Sequence, residues 1–148
     1  MPQPKFEHYD EGIAKAMMRA HDSPTGLVQY LGVKLTEFGP GRLVGTMEVR
    51  PELLTPFGTL HGGVMAGFVD HILGCVLYPL MPRGQWAATT EFKLNYLAAV
   101  RSGTLTAEST VVSLTRRTAV VRLEVTNGDQ LACVAQGTLL VTDPGKKT

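Results

Sequence analysis

The chain has 148 residues, of which 44% are hydrophobic and 18% charged, and its formal net charge is +1. This is the size and composition of one globular domain, so we expect a single domain over residues 1–148. The charges are scattered and no apolar run reaches the roughly 20 residues of a membrane span, so we expect neither nucleic acid nor a membrane as a partner. The first residues, MPQPKFEHYDEG, lack the pattern of a secretory signal, which predicts a cytoplasmic location.

The first third of the chain contains one predicted helix and one predicted hairpin. Residues 11–21, EGIAKAMMRAH, carry apolar side chains at helical spacing, and DSPTG is expected to end this short amphipathic helix. From Val33 to Arg50 the pattern changes to alternation around the turn GPGR, which predicts two antiparallel strands. The loop RPELLTPFGTL then leads to His61.

The central segment TLHGGVMAGFVDHILG, residues 59–74, is almost wholly apolar and of helical length. A helix that is apolar nearly all round is expected to be buried nearly all round. On this helix Gly63, Gly67, Asp70 and Gly74 share one face, which would be a bare groove containing a single carboxylate. A carboxylate buried there must be either paired as a structural acid or used in chemistry.

Four later stretches have the alternating or β-branched character of strands: WAATTEFKLNYLAAV, GTLTAESTVVSL, TAVVRLEVT and QLACVAQGTLLVTD. Short turn sequences, RSGT and TNGDQ, separate neighbouring stretches, so the sheet should be largely antiparallel. Together with the hairpin, these strands predict an α+β architecture in which a sheet of five or six strands wraps one long central helix.

The start of the central helix is a candidate site for an oxyanion or a polarised carbonyl. Backbone N–H groups of a first helical turn lack helical partners, and Gly62 and Gly63 have no side chains to block access to them. Asp70 follows Gly63 by seven residues, which is roughly 10 Å along a helix. Asp70 could therefore act on a carbonyl held by Gly63 only from a second, antiparallel copy of the helix, so the site is predicted to lie between subunits.

Several stretches resemble the hot-dog-fold acyl-CoA thioesterases of the phenylacetic-acid-pathway type, relatives of 4-hydroxybenzoyl-CoA thioesterase. They are GTLHGGVMAGFVDHILG, TTEFKLNYLAAVRSGTLTAEST, SLTRRTAVVRLEV and QLACVAQGTLLV, between about Gly32 and Val141. The resemblance implies a hot-dog fold and a homodimer with a continuous sheet around two antiparallel helices, often paired again into a homotetramer. It also implies hydrolysis of an acyl- or aryl-CoA thioester to the free acid and CoA.

The resemblance assigns catalytic roles to residues of this chain. It implies that the Gly63 N–H polarises the thioester carbonyl and that Asp70 of the other subunit attacks the carbonyl or activates water. Thr89, on the following strand, would help to hold that water. Thr55 stands where many relatives have Asn or Gln, and it can supply one hydrogen bond but not the set that an amide supplies.

Further residues are predicted to contact the substrate. His61 is expected to orient its loop or to hydrogen-bond the ligand, and Gly62 is expected to admit the ligand to the helix start. Arg116 and Arg117, at the turn LTRRTA, would border the CoA phosphates, which suit guanidinium groups. Phe68 is expected to line the acyl pocket.

Two other functions stay open, an acyl-thioester dehydratase or hydratase of the same fold and a non-catalytic acyl-CoA binding protein, to which Thr55 lends weight. His, Cys and acidic residues show no metal-ligand spacing and no Gly-x-Ser-x-Gly elbow is present, so we expect neither a metal site nor a serine hydrolase. Because thioesters are already activated, we also expect no cofactor. Cys75 and Cys133 are predicted to be buried free thiols. His71 lies about 100° around the helix from Asp70 and is not expected to be its catalytic partner.

Overall fold

Six antiparallel strands form one sheet in the order β1-β2-β4-β5-β6-β3. The computed structural model describes residues 4–22 and 25–145. The elements are α1 (Glu11–Ala20), α2 (Gly26–Leu31), β1 (Lys34–Gly39), β2 (Arg42–Glu48), α3 (Gly62–Cys75), β3 (Trp86–Tyr96), β4 (Thr104–Leu114), β5 (Thr118–Asn127) and β6 (Gln130–Thr142), with 3₁₀ turns at Pro51–Leu53 and Tyr78–Leu80. The predicted α+β class, central helix and six strands are confirmed.

The sheet packs against α3 through alternating side chains of its strands. α3 contacts β2, β3, β4, β5 and β6. Its side chains Phe68, Val69, Ile72 and Leu73 are fully buried. Each such side chain contributes roughly 1.5–3 kcal/mol of burial free energy, so this face of the helix anchors the fold.

Close approach of α3 to the sheet depends on a glycine in β2. A Cβ atom added at Gly45 would lie 2.4 Å from the Ile72 side chain and 3.1 Å from the Lys34 carbonyl oxygen. Because backbone cannot move aside cheaply, only glycine fits between β1 and the helix at this position.

The helix α2 was not predicted from the sequence. It has six residues, and Thr25 at its N-cap makes no side-chain capping bond. Its stability comes from tertiary contacts, since Leu31 is buried and Arg50 donates to the Leu31 carbonyl oxygen at 3.1 Å and to the Tyr30 carbonyl oxygen. Gly32 ends it with a φ of 70°, in the left-handed region.

The apolar sequence continues beyond the central helix, as far as Leu80. α3 ends at Cys75, and a separate 3₁₀ turn follows at Tyr78–Leu80, because Pro79 cannot continue an α-helix. The 19 residues Gly62–Leu80, with a mean hydropathy of 1.5, pass a length and composition test for a membrane-crossing helix, but 56% of that window is buried inside the protein. The central helix of a globular fold passes the same test.

One face of α3 is open in the single chain, so the expectation of a helix buried nearly all round is wrong. Gly63 and Asp70 are exposed, and Gly67 and Gly74 are half-buried. A Cβ atom added at Gly74 would meet no atom within 4 Å. The sheet covers only the apolar side of the helix. On the other side α2 gives partial cover, since a Cβ atom added at Gly67 would lie 3.6 Å from Leu31 and 3.9 Å from Leu27.

Candidate active site

The loop before α3 is held by backbone hydrogen bonds that fix where the helix begins. Leu54 and Leu60 form an isolated antiparallel bridge. The His61 N–H donates to the Leu53 carbonyl oxygen at 3.0 Å, and the Leu60 N–H donates to the Val100 carbonyl oxygen at 2.7 Å. These hydrogen bonds therefore fix the position of His61 at the start of the helix.

His61 is the N-cap of α3, and its ring occupies a donor that the sequence predicted to be free. The Gly63 N–H donates to His61 Nδ1 at 2.9 Å, so in this conformation the amide that was predicted to polarise the carbonyl is occupied by the His61 ring. N-cap side chains commonly accept from the second or third amide of their helix, which is the position of Gly63. Among the described residues the Gly62 N–H has no acceptor, so Gly62 is the donor that the helix start presents.

Tyr96 holds the helix start from the end of β3. Its hydroxyl donates to the Gly62 carbonyl oxygen at 2.8 Å. A Cβ atom added at Gly62 would lie 3.0 Å from that hydroxyl, so the glycine permits this close contact. The sequence analysis did not predict this role, because alternation along β3 assigns Tyr96 to a face of the strand but not to a partner.

A cavity of about 430 Å³ opens beside the start of α3. Two threonines lie at its rim and the remaining lining is mostly apolar. The lining residues are Thr55, Thr59, Leu60, Gly62, Met65, Tyr96, Leu97, Ala98, Ala99 and Val100. A small apolar group could enter this cavity while a polar atom next to it reaches the Gly62 N–H.

Asp70 is exposed in the single chain, contrary to the expectation of a buried carboxylate. It follows Gly62 by eight residues, which is roughly 12 Å along the axis of α3. Asp70 and Gly62 of one chain therefore cannot both contact the same carbonyl group.

Comparison with known proteins identifies the family. The sequence profile of the thioesterase superfamily matches residues 57–134, which include the helix start, Asp70 and most of the sheet. The chain belongs to the thioesterase superfamily. The predicted family is thus confirmed, and the protein is an enzyme of the thioester-hydrolase class.

Solved structures confirm the hot-dog fold of this superfamily member. A thioesterase of Haemophilus influenzae is 28% identical with a TM-score of 0.79, covering 87% of this chain and 90% of that chain. A mutant of the phenylacetic acid degradation protein PaaI of Thermus thermophilus is 28% identical with a TM-score of 0.69, covering 76% and 95%. By sequence, the 1,4-dihydroxy-2-naphthoyl-CoA hydrolase of Listeria monocytogenes is 26% identical over 117 residues, 78% of this chain and 95% of that protein.

The hydroxyl of Thr55 makes hydrogen-bond contacts within the loop that precedes α3. Thr55 Oγ1 lies 3.1 Å from Thr59 Oγ1 and accepts a hydrogen bond from the Phe57 N–H at 3.3 Å. The Thr55 N–H donates to the Thr59 carbonyl oxygen at 2.7 Å. Thr55 thus lines the cavity, and its hydroxyl also stabilises the turn, as threonines in tight turns commonly do.

Thr89 lies on the face of β3 that is turned toward the core. It pairs directly with Leu139 of β6, whose side chain is fully buried, and side chains opposite each other in an antiparallel pair share a face. Thr89 itself is half-buried, and an irregularity in register separates it from Glu91. This placement is compatible with the predicted water-holding role, which stays a prediction.

Phe68 does not line the cavity beside the start of α3. Its side chain is fully buried in the core between α3 and the sheet. Met65, one turn earlier on the helix, lines the cavity instead. The sequence does not reveal which face of an apolar helix meets the sheet, and a place for Phe68 in the acyl pocket stays a prediction.

Arg116 and Arg117 are exposed at the turn between β4 and β5. Arg116 lines a surface groove with Leu80 and Pro82, which follow the C-terminal end of α3. Since α3 has 14 residues, roughly 21 Å, these arginines lie at the opposite end of the helix from Gly62 of the same chain.

Three side chains that the sequence did not group meet on another side of α3. His21 Nε2 lies 2.7 Å from His71 Nε2, and Cys75 Sγ lies 3.5 Å from His71 Nε2. Burial and the neighbouring His21 lower the pKa of His71 to about 4, with Asp70 opposing, so this imidazole is neutral at pH 7. Burial, followed by the charge of Asp70, raises the pKa of the Cys75 thiol to about 12. As predicted, Cys75 and Cys133 are buried free cysteines.

Proposed function

We propose that this thioesterase-superfamily protein hydrolyses acyl-CoA thioesters in a site shared between two antiparallel copies of α3. The observation that carries the proposal is the separation of two complementary groups. They are the Gly62 N–H at the helix start, which has no acceptor among the described residues, and the exposed Asp70, roughly 12 Å further along. A twofold arrangement of two helices brings the Asp70 of one chain to the Gly62 of the other.

Gly62 and Asp70 supply the chemistry that thioester hydrolysis needs. The Gly62 N–H donates to the thioester carbonyl oxygen, where negative charge develops. Asp70 of the second chain either attacks the carbonyl carbon or removes a proton from the water that attacks it. In the first case the C–S bond breaks, CoA leaves as the thiolate, and water then hydrolyses the acyl-aspartyl anhydride. Thr89 holds the water, and no cofactor takes part.

The edge strand β3 supports a homodimer. Within the described residues β3 pairs with β6 alone, so one side of this 11-residue strand is open. Trp86 is the first residue of β3 and Leu97 follows its last residue, and their side chains are 60% and 54% exposed. A long open edge with exposed apolar side chains is a template for pairing, and two β3 edges would join two sheets into one. Further pairing of such dimers would give a homotetramer.

The position of the arginines supports CoA as the leaving group. Arg116 and Arg117 lie toward the C-terminal end of α3, which in an antiparallel pair approaches the start of the second helix. Guanidinium groups suit the phosphates of CoA. One relative, the 1,4-dihydroxy-2-naphthoyl-CoA hydrolase of Listeria monocytogenes, is named for a CoA thioester. Free thiols at Cys75 and Cys133 accord with a cytoplasmic location.

The first test is thiol release from a panel of alkyl- and aryl-CoA thioesters. Turnover of at least one panel member is expected. Binding of acyl-CoA without thiol release would instead support the non-catalytic binding function.

The shared site is tested by mixing two inactive variants. Gly62→Pro removes the N–H donor while proline is tolerated at the first position of a helix, and the extended ψ of 132° at His61 suits a following proline. Loss of one such donor should lower turnover by about 10²–10³-fold. Gly62→Ala is the matched control, since it adds the same Cβ atom near Tyr96 but keeps the N–H.

Gly62→Pro and Asp70→Asn are then unfolded and refolded together in equal amounts. Random pairing makes half of the dimers mixed, and each mixed dimer has one intact and one doubly defective site, so roughly one quarter of wild-type activity should return. No recovery, with mixed dimers demonstrated by differently tagged chains, would place Gly62 and Asp70 in the same chain's site and overturn the sharing.

A further inference from the structure

A cluster of metal-ligating side chains joins the end of α1 to α3. His21 follows α1, while His71 and Cys75 lie one turn apart on α3. One potential ligand atom from each, two imidazole nitrogens and one sulfur, lies within 4.8 Å of the others. Cys75 is buried and both imidazoles are half-buried, so the cluster is enclosed but reachable from solvent.

We propose that His21 Nε2, His71 Nε2 and Cys75 Sγ bind a Zn²⁺-class divalent ion that links α1 to α3. The site is separate from the thioesterase chemistry and does not depend on it. Two imidazoles and one thiolate form a donor set that suits zinc, whereas magnesium and calcium take oxygen ligands.

The distance between His71 and Cys75 matches a tetrahedral zinc site, and the distance between the two histidines is shorter. With Zn–N near 2.05 Å and Zn–S near 2.3 Å, tetrahedral angles place nitrogen and sulfur about 3.5 Å apart and two nitrogens about 3.3 Å apart. Cys75 Sγ and His71 Nε2 are already 3.5 Å apart. His21 Nε2 and His71 Nε2 are 2.7 Å apart, so to admit the ion their hydrogen bond must open by about 0.6 Å and both rings must turn until their Nε2 lone pairs converge on it.

The protonation of His21 prepares it as a ligand. Its Nδ1 lies 2.7 Å from the Met17 carbonyl oxygen, and because a carbonyl only accepts, Nδ1 carries the proton. In the neutral ring the Nε2 lone pair then points to His71. Metal-binding histidines commonly donate their second ring N–H to such an outer partner, which fixes the tautomer and the ring orientation.

Binding changes the protons on the other two ligands. Since His21 Nε2 carries a lone pair, His71 Nε2 is the donor in the hydrogen bond between the two rings. When the ion binds, this proton moves to His71 Nδ1, so the ring stays neutral and its Nε2 lone pair is free to bind the ion. Cys75 binds as the thiolate, and its proton goes to solvent, so one proton is released for each ion bound. The fourth tetrahedral position is left for water.

The experiment titrates the intact, reduced chain with Co²⁺ after removal of metals by a chelator. One Co²⁺ per chain is expected to give a thiolate-to-cobalt charge-transfer absorption, and stoichiometric Zn²⁺ should displace the cobalt and abolish that absorption. Zn²⁺ should also raise the melting temperature, because an ion bound only by the folded chain stabilises it.

Variants of the ligands identify the site. Cys75→Ala should abolish the charge-transfer band, and His21→Gln, at a half-exposed position, should weaken Zn²⁺ binding by more than about 100-fold, beyond the cost of losing an outer partner. Cys133→Ala is the matched control, since Cys133 is the other buried free thiol, and it should bind as the wild type does.

Two results would overturn the site. One is the absence of any cobalt band in the folded wild-type chain at millimolar Co²⁺. The other is a band that persists in Cys75→Ala but is lost in Cys133→Ala. Either result leaves the proposed thioesterase activity untouched, because Asp70 and Gly62 are not among the ligands.

Discussion

The two faces of α3 differ in what the chain has built against them. On one face Phe68, Val69, Ile72 and Leu73 are fully buried against the sheet. The other face carries Gly63, Gly67, Asp70 and Gly74, which the single chain leaves exposed or half-buried. One helix therefore has a side that anchors the fold and a side that the chain covers only in part, where Leu27 and Leu31 of α2 lie near Gly67.

From this difference we expect some substitutions to affect stability and others to affect function. A change on the buried face removes packing, and its cost appears in the free energy of unfolding. A change on the open face removes little intrachain contact, so its effect should appear in turnover or in association of chains. The following variants separate the two faces.

The largest expected effect is that of Asp70→Asn on turnover. The amide is nearly isosteric and the position is exposed, so the free energy of unfolding should stay unchanged. Turnover should fall by about 10²–10⁴-fold, because an amide neither accepts a proton at neutral pH nor attacks a carbonyl. Thiol release and urea unfolding measure the two quantities. Full turnover in the variant would return Asp70 to a structural role.

Ile72→Ala should act on stability alone. Ile72 is fully buried and packs against β2 at Gly45, so truncation should lower the free energy of unfolding by about 2–5 kcal/mol. The turnover per folded chain should match that of the wild type at a temperature where both are folded. A loss of turnover without a loss of stability would show that the two faces are not independent.

Gly74→Ala should stabilise the single chain but weaken the dimer. In the single chain an added Cβ meets nothing within 4 Å, so alanine should favour the helix by about 1 kcal/mol. If a second α3 packs against this face, the same methyl group should weaken the dimer, as measured by analytical ultracentrifugation.

Gly39→Ala is the control for that test, since it also adds a Cβ in open space but lies in β1. A dimer as tight in Gly74→Ala as in the wild type would mean that the open face of α3 does not meet a close helical neighbour there.

Thr55→Val should have the smallest effect. Valine removes the contact with the Thr59 hydroxyl and the acceptor for the Phe57 N–H, which should cost about 0.5–1.5 kcal/mol of stability. Since this loop fixes His61, turnover should fall by about threefold to tenfold. Thr55→Ser should restore both quantities. Unchanged stability and turnover in Thr55→Val would exclude a role for the hydroxyl.

Most of the elements, though not α2, and the location of the helix-start site could be predicted from the sequence. Alternation predicted β3 and the β1–β2 hairpin, and apolar periodicity predicted α1, because these periods arise within one element. The segment His61-Gly62-Gly63 was recognisable because helix caps involve neighbouring residues. The spacing of Asp70 from the helix start also indicated two chains, since helical rise is fixed.

Only the tertiary structure decided which distant side chains meet. Tyr96 reaches Gly62 across 34 residues, and His21 reaches His71 across 50. Neither pair has a local signature, because each depends on how the elements are arranged around the sheet, and periodicity does not specify that arrangement. The exposure of Asp70 followed from the same cause, since a nearly all-apolar helix does not reveal which of its faces the sheet will cover.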